Sequence, residues 1–349
     1  MKKYILLLLA FSCSFILFGQ SPSKKITIIG VGDIMMGTTY PPGINALPQN
    51  DGKDLFSKVT PFLKTGDIIF GNFEGVFLDK GGTPKTCKNP DVCYVFRTPD
   101  KYVDNLVNAG FNLMNLANNH SNDFGSVGLK NTQNVMSTAG IHYAGILNTC
   151  EYTVFEKDGI KYGFCGFAPN NATVKINDYR KVKSLIKELK KQCDIVIVSF
   201  HGGAEGKSAT RVTRKTEMFH GENRGNVYEF AHLCIDNGAD VVLGHGPHVV
   251  RAIELYKDRF IAYSLGNFCT PYKMNVTGIN GYAPMIKVNV DETGKFIDGK
   301  IEAAIQLEKI GPQLDPEQRT VKEIKRLTEL DFLDGNLSIA DDGVITKQR

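Results

Sequence analysis

The sequence predicts a mixed α/β sandwich whose functional site lies at the carboxyl ends of its β-strands. Through the first two thirds of the chain, β-branched runs alternate with segments of helical periodicity, and strand pairs joined by short turns follow. The 349 residues are enough for one large domain or two small ones. Basic and acidic residues are interspersed and the net charge is only +4, so we predict no nucleic-acid partner.

Residues 1–19 predict a secretory signal peptide. Lys2 and Lys3 precede an apolar run at 4–18, and Gly19 and Ser21 supply small residues for cleavage. A membrane anchor is the alternative, but the run is short for crossing a bilayer. We therefore expect an exported protein that is periplasmic or extracellular, with association with the cell surface as one form of this location.

The first part of the mature chain predicts three strands, each followed by a helix. The strands are rich in β-branched and aromatic residues, and the helices carry apolar residues at three- and four-residue spacing. Pro99 near the start of one helix and Gly110 after its end fit the preferences of helix termini. The predicted strands are at residues 26–31, 67–71 and 111–116, the helices at 54–63, 99–109 and 128–139, and a loop at 77–96.

The second part predicts more strands than helices. Asp158 and Gly159 indicate a hairpin turn, and a lysine-rich amphipathic segment indicates a helix with a solvated face. The polar stretch at 204–223 predicts an active-site loop or lid. We place the main domain at 26–310, and a C-terminal helix with a loose tail at 311–349. The predicted strands are at 152–155, 162–167, 194–200, 239–244, 249–255, 259–265, 283–290 and 300–307, and the helices at 180–191, 226–237 and 316–330.

The cysteines indicate one disulfide bond and no thiolate metal site. Cys87 and Cys93 flank a polar turn, so in an oxidising compartment they are expected to close a small loop. The other cysteines of the mature chain lie singly, mostly within or beside apolar runs, which predicts buried inert thiols. No pair has the two-residue spacing typical of zinc thiolates.

Polar side chains of metal-binding type follow several of the predicted strands. His245 and His248 come directly after an apolar run, and Gly246 and Pro247 fix the backbone between them. Taken singly, each candidate has a structural alternative, such as a turn, a helix cap or a surface carboxylate. Together they predict a metal site at one edge of a sheet. The other candidates at strand ends are Asp33, Glu74, Asn119, His120 and His201.

This mixed set of oxygen and nitrogen donors is the one that Mn, Fe or Zn prefers, so we predict a divalent transition metal. Glu74 could bridge two ions, which would activate a water molecule and bind the oxygens of an in-line displacement. Either one or two ions are compatible with the pattern. His120, next to the proposed ligand Asn119, could protonate a leaving group, and Asp123 could orient that histidine.

Six short motifs resemble the CapA family, the poly-γ-glutamate capsule synthesis proteins with the PGA_cap domain. This family belongs to the calcineurin-like metallophosphoesterase superfamily. The resemblance extends from about residue 26 to residue 310, and its specificity lies in the order and combination of the motifs. They are GDIMMG at 32–37, GNFEG at 71–75, ANNH at 117–120, HGG at 201–203, GHGPH at 244–248 and YSLGNF at 263–268.

The resemblance implies a four-layer αββα sandwich, with two mixed β-sheets inside, helices outside and a di-metal centre at the sheet edge. It also implies that His120 is the general acid and that Asn72 and Asn267 are neighbours of the site. Two features depart from the superfamily pattern: Met35 replaces the usual histidine, and two residues instead of one separate the last two histidines. The implied metal ligands are Asp33, Glu74, Asn119, His201, His245 and His248.

Three functions follow as hypotheses. The first is an exported metal-dependent hydrolase-type protein that makes, releases or handles an anionic polymer such as poly-γ-glutamate, with membrane-bound polymer synthesis proteins among its partners. The second is an extracytoplasmic phosphoesterase, in which Arg211, Arg214 and Arg224 could bind the phosphate group of the substrate. A solvated basic loop is the equally good alternative for these arginines. The third is a non-catalytic scaffold subunit of a polymer export machine, which the methionine at position 35 favours.

Overall fold

The computed structural model describes residues 24–44, 46–87 and 93–348. The predicted signal peptide lies outside these residues. Among the helices within these ranges, none combines the length and the apolar character needed to cross a bilayer.

The described residues form 21 strands and six α-helices, together with short 3₁₀ segments. The helices are α1 (Thr60–Leu63), α2 (Val103–Ala109), α3 (Gly125–Thr138), α4 (Tyr179–Gln192), α5 (Val227–Asp236) and α6 (Arg319–Asp331). The strands are β1 (Ile26–Ile34), β2 (Ile68–Phe73), β3 (Val76–Phe77), β4 (Arg97–Thr98), β5 (Leu113–Asn115), β6 (His142–Ala144), β7 (Tyr152–Lys157), β8 (Ile160–Phe167), β9 (Ile195–His201), β10 (Met218–Phe219), β11 (Glu222–Asn223), β12 (Val241–His245), β13 (Ile253–Tyr256), β14 (Arg259–Ala262), β15 (Asn267–Cys269), β16 (Met285–Val290), β17 (Phe296–Glu302), β18 (Ala304–Leu307), β19 (Gly311–Leu314), β20 (Leu337–Ile339) and β21 (Val344–Lys347).

Two mixed sheets form the centre of the fold. Sheet 1 has nine strands in the order β20-β21-β17-β16-β1-β2-β5-β6, with β15 also paired to β1. Sheet 2 has six strands in the order β13-β14-β12-β9-β8-β7. The strands β1, β2, β5 and β6 are mutually parallel, as are β8, β9, β12 and β14. Because parallel strands end at the same edge of a sheet, each sheet presents several strand ends together.

The sheets pack face to face, with helices outside. In β1, Ile28 belongs to the apolar cluster that also contains Ile197 and Val242 of sheet 2. The next residue, Ile29, belongs to a separate cluster that includes Met136 of α3. This alternation places the two faces of sheet 1 in different layers. Helices α4 and α5 contact β8, β9 and β12 of sheet 2, so the four-layer αββα prediction is confirmed.

The predicted helix at 54–63 was only partly correct. Its apolar residues Leu55, Phe56 and Val59 are buried as expected. However, the amides of Leu55 and Val59 donate to carbonyls three residues earlier, which is the pattern of tight turns and not of an α-helix. The α-helical conformation is confined to Thr60–Leu63.

The prediction of a loose C-terminal tail was wrong. Strand β21 pairs with β17 of sheet 1, with Ile345 opposite Gly299, and β20 pairs with β21. Leu337, Ile339 and Ile345 are all buried. These apolar residues are separated by polar ones over very short segments, so the strand pattern is weak in the sequence alone. The proposed boundary at residue 310 stays a prediction, but the chain after it completes sheet 1.

Candidate metal site

Asp33 lies at the end of β1, between two neighbouring strands. Its register partners are Asn72 of β2 and Asn267 of β15. A Cβ atom at the preceding Gly32 would lie 2.1 Å from the carbonyl oxygen of Gly266, so only glycine allows this close approach. The sequence therefore brings an acidic side chain and two amides together at one edge of sheet 1.

The histidines come from the corresponding edge of sheet 2. His201 and His245 are paired in register at the ends of β9 and β12. Gly246 follows with φ +113°, and a Cβ there would lie 2.7 Å from the amide nitrogen of Gly202. His248 has φ 57°, a left-handed conformation that turns the chain back toward Asp33. Gly246 and the left-handed turn at His248 therefore end the strand and bring His248 to the site.

Asp33 holds two of these imidazoles in place. Its Oδ1 accepts from His245 Nδ1 at 3.2 Å and from Asn72 Nδ2 at 2.8 Å, and its Oδ2 accepts from His248 Nδ1 at 3.0 Å. Burial alone would raise the pKa of Asp33, but the hydrogen bonds from His245 and His248 outweigh burial and hold this pKa well below its usual range. Asp33 is therefore an ionised carboxylate in the protein interior.

Glu74 is the most unusual group of the site, because it is fully buried and neither carboxylate oxygen has a hydrogen-bond partner among the described residues. Its Oε1 faces the Nε2 atoms of His248 at 3.7 Å and of His120 and His201 at 3.9 Å each. Burial raises the pKa of Glu74 to about 8. Burial by itself lowers the pKa of His248, but the carboxylates of Glu74, Asp33 and Glu205 raise it to about 10.

The residues present fit a divalent cation. Asp33, Glu74 and His248 each offer a ligand atom, and these atoms lie within 4.8 Å of one another. The Nε2 atoms of His201 and His245 also lack hydrogen-bond partners in the described structure, although both side chains are fully buried. Unpaired buried polar atoms are costly, and a cation among them would satisfy carboxylate and imidazole donors together. The site can therefore hold a divalent metal.

His120 and Asp123 form a hydrogen-bonded pair beside this cluster. The Nδ1 of His120 is 2.8 Å from Asp123 Oδ2, and its Nε2 points toward Glu74. Lys85 Nζ is 2.5 Å from Asp123 Oδ1, and the ring of Phe96 lies 4.3 Å from the His120 ring. Burial lowers the pKa of His120. Asp123 is thus hydrogen-bonded to His120, and its role in orienting this histidine stays a prediction.

The amide side chains differ in how closely they approach the cluster. Asn72 contacts Asp33 and is 3.5 Å from His201 Nδ1, and Asn267 Oδ1 accepts from His248 Nδ1 at 3.1 Å. Asn119 is half-buried in the wall of a neighbouring cavity, and its Oδ1 makes no hydrogen bond within the described ranges. The catalytic and ligand roles of these residues stay predictions.

The side chain of Met35, at the position where the resemblance implies a histidine in related proteins, contacts the backbone. Its sulfur accepts from the amide of Gly37 at 3.3 Å, and its side chain is fully buried. The thioether is therefore already engaged in a local contact, and it adds no nitrogen donor to the site.

Several residues near the site were not predicted, or were predicted in the wrong place. Glu205 lines the cavity and lies 3.9 Å from His248 Nε2, and Lys85 contacts Asp123. Of the three arginines proposed to grip phosphate, only Arg224 lines this cavity. Arg211 bonds to Asp331, and the Arg214 guanidinium lies over Tyr228 and Phe332. One indication of Glu205 was available in the sequence: it lies only four residues after His201, in the turn that follows the same strand.

The disulfide prediction agrees with the structure, in which Cys87 and Cys93 are bonded with a Cα–Cα distance of 5.6 Å. The remaining cysteines of the described ranges are free thiols, and all but Cys150 are buried.

Two face-to-face mixed sheets with helices outside, and a carboxylate and histidine cluster at the strand ends, define a metallophosphoesterase-like protein. Residues 27–272 match the family described as "Bacterial capsule synthesis protein PGA_cap". The chain belongs to this family.

Named relatives agree with this assignment. The chain is 30% identical over 267 residues to "Capsule biosynthesis protein CapA" of Bacillus anthracis, covering 70% of this chain and 60% of that protein. It is 29% identical over 254 residues to "PGA biosynthesis protein CapA" of Bacillus subtilis (strain 168), covering 68% of this chain and 61% of that protein. The matched region thus spans about 60% of the length of the relative from Bacillus anthracis.

A solved structure supports the fold. A phosphatase from Mycoplasma pneumoniae superposes with a TM-score of 0.52 and 17% sequence identity, covering 89% of this chain and 99% of that chain. At this identity the similarity shows a shared fold.

Proposed function

We propose that this protein is an exported, metal-dependent hydrolase of the CapA type that acts on, releases or handles an anionic extracellular polymer such as poly-γ-glutamate. Membrane-bound polymer synthesis proteins are its proposed partners. Family membership supports the connection with capsule synthesis, since the two named relatives are described as capsule or PGA biosynthesis proteins. The basic and apolar segment at residues 1–19 supports export.

The observation that carries the metal-dependent part is the buried Glu74. Its two oxygens lack hydrogen bonds in the described structure, while three imidazole nitrogens face it. When bound there, one or two ions of Mn, Fe or Zn would activate water and polarise the bond to be cleaved. The carboxylates of Asp33 and Glu74 would balance the positive charge of the metal, and the histidine Nε2 atoms would complete the ligand set.

The chain itself provides the acid for the reaction. His120 lies in the cavity wall, and its Nδ1 is fixed by Asp123 at 2.8 Å. This contact leaves Nε2 as the nitrogen that can hold a proton for a leaving group, on the side facing Glu74. The Phe96 ring, 4.3 Å from the imidazole, covers one side of it.

Metal analysis of the purified protein tests this proposal most directly. We expect at least one transition-metal ion per chain, and we expect His201→Ala and His245→Ala to lose most of it. His232→Ala is the matched control, because this imidazole bonds to Glu254 away from the site. Wild-type protein without a transition metal after growth in supplemented medium, or full metal retention in both site variants, would refute a metal-dependent function.

A phosphoesterase activity is the second candidate, and the fold shared with a phosphatase is what favours it. A panel of chromogenic phosphate mono- and diesters with added Mn²⁺ separates it from the first candidate. Hydrolysis that disappears in His120→Ala would support the phosphoesterase. No turnover of any ester by protein with full metal content would exclude it.

A non-catalytic scaffold role is the third candidate, which the engagement of Met35 with the Gly37 amide favours. The decisive comparison is complementation of a strain that lacks the protein. A scaffold with a structural metal predicts that His120→Ala restores polymer formation fully, whereas the hydrolase proposal predicts that it does not.

A further inference from the structure

A cavity of about 500 Å³ adjoins the proposed metal site. His120 and His248 form the wall nearest to the metal-ligand cluster, and Glu205 and Arg224 also line the cavity. The rest of the lining combines aromatic side chains, such as Phe96 and Phe219, with basic ones, Lys85 and Lys273. The cavity is therefore the space through which a substrate reaches the site, and its charged groups determine which substrates fit.

Arg224 is the unusual member of this wall. It is only 2% exposed, and its Nη1 contacts Glu205 Oε1 at 3.1 Å and Glu222 Oε2 at 3.3 Å. Its Nε and Nη2 atoms are also buried, and they have no hydrogen-bond partner within the described ranges. A guanidinium group has five N–H donors in a planar fork, which suits two oxygens of a carboxylate or phosphate. Three of these five donors, one on Nε and two on Nη2, are unused among the described residues.

A second buried arginine shows that unused donors are not general in this fold. Arg251 is fully buried, and it donates to both oxygens of Glu217 at 2.9 and 2.7 Å. Its Nε donates to the carbonyl of Ala209. Each of the three side-chain nitrogens of Arg251 therefore has a partner, whereas two of the three in Arg224, beside the cavity, have none in the described structure.

Glu205 shows that an oxyanion can lie between Arg224 and the cluster. One carboxylate oxygen is 3.1 Å from Arg224 Nη1, and the other is 3.9 Å from His248 Nε2. Its side chain is 20% exposed, in contrast to the 3% of Arg224, so it can move into the cavity more easily. The protein's own carboxylate thus spans the distance from the guanidinium to the metal-ligand histidine.

We propose that Arg224 binds an oxyanion of the substrate, a phosphate or carboxylate group, at the position that Glu205 fills in this structure. Glu205 is the internal competitor, and it moves aside when the substrate oxyanion enters. An oxyanion at that position can accept from the unused Nη2 as well as from Nη1, in a bidentate contact. This inference rests on the proposed function only in taking the adjoining cluster as the reaction centre.

Substitutions of Arg224 and of Glu205 are expected to change the affinity for an anion in opposite directions, and this difference provides the test. Isothermal titration calorimetry measures binding of inorganic phosphate and, separately, of glutarate to the metal-loaded mature protein. We expect Arg224→Met to weaken the better-bound anion at least tenfold, and Arg224→Lys to weaken it less. We expect Glu205→Gln to strengthen binding several-fold, since the competing charge is removed. Arg214→Met is the control, because that guanidinium packs on Tyr228 and Phe332 outside the cavity.

Preference for phosphate or for glutarate identifies which oxyanion the site takes. Affinity in Arg224→Met within twofold of the wild type, or weaker binding in Glu205→Gln, would overturn the inference, as would no binding of either anion. If Arg224→Met does not fold, the sign of the Glu205→Gln effect decides. Metal content and hydrolysis are measured on the same samples. Anion binding without hydrolysis would therefore count against the proposed hydrolase and leave the role of Arg224 standing.

Discussion

His245 and Asp33 lie 212 positions apart in the chain, yet His245 Nδ1 is 3.2 Å from Asp33 Oδ1. The two residues belong to different sheets, at the ends of β12 and β1. Since Asp33 Oδ1 accepts a hydrogen bond from Nδ1–H of His245, Nε2 is the ring nitrogen left with a free lone pair to face the site. The contact therefore sets the tautomer of a proposed ligand, and it requires the two sheets to be packed correctly.

The affinity for a divalent cation should rise with pH. The pKa of Glu74 is raised to about 8 by burial, so below pH 8 the metal-free carboxyl holds a proton that a cation must displace. Each displaced proton changes the apparent affinity about tenfold per pH unit, so we expect a gain of about tenfold from pH 6 to pH 7. Titration calorimetry in two buffers of different ionisation enthalpy measures both affinity and proton release.

The metal-free protein provides the matching control for this prediction. The folded-state pKa of Glu74 lies above its ordinary value of 4.5, so the folded state binds the proton more tightly than the unfolded state. The stabilisation from this group is complete below pH 4.5 and is lost as the pH rises to about 8. Urea unfolding of metal-free protein should show this loss, whereas metal-loaded protein should not. A cation affinity that is constant between pH 6 and 8 would contradict the prediction.

The ends of parallel strands were the predictable part of the site. Asp33, His201 and His245 each follow an apolar run long enough to identify as a strand, and the sandwich brings those strand ends to one edge. The contact of His248 with Asp33 depends on a left-handed backbone conformation at His248. The GHGPH motif indicated a rigid turn but did not define its direction.

The residues supplied by loops were not predictable in this way. Lys85, two residues before the disulfide-bonded Cys87, reaches Asp123. Arg224 lies in the long stretch after His201, and the sequence could not distinguish it from Arg211 and Arg214, which lie outside the cavity lining. The path of such loops is determined by contacts distant in sequence, such as that between Glu217 and Arg251, and local periodicity does not encode them.

The Cys87–Cys93 disulfide should stabilise the protein and fix the surroundings of His120. Lys85 and Phe96, which flank the bonded cysteines, both contact the His120–Asp123 pair. For so short a closed loop, the double substitution Cys87→Ser/Cys93→Ser should lower the free energy of unfolding by about 2 kcal/mol. It should also shift the imidazole signals of His120 in an NMR spectrum, since the Phe96 ring packs against it. Cys150→Ser, at a free cysteine, is the control, and unchanged His120 signals in the double variant would contradict the proposed positioning.

The buried ion pair of Arg251 and Glu217 should be essential for the fold of the loop between β9 and α5. Both side chains are buried, and the guanidinium also contacts the carbonyls of Ala204 and Ala209. Arg251→Met leaves a carboxylate buried without its partner, so we expect a loss of about 3–5 kcal/mol in urea unfolding. Lys191→Met, in an exposed pair with Glu188, should have little effect. A loss as small as that of the control would show that water replaces the arginine.

The C-terminal strands should contribute to the stability of the whole sandwich, because Ile345 is fully buried in the apolar cluster that also contains residues of sheet 2. Ile345→Ala removes that side chain from a packed site, and the expected loss is about 2–5 kcal/mol in the free energy of unfolding. Thr346→Ala changes the exposed neighbour on the same strand and should have almost no effect. Equal stability of the two variants in urea would mean that β21 is not part of the cooperative core. A single unfolding transition with a lower midpoint for Ile345→Ala would show instead that the segment after residue 310 folds together with the metal-site sheets.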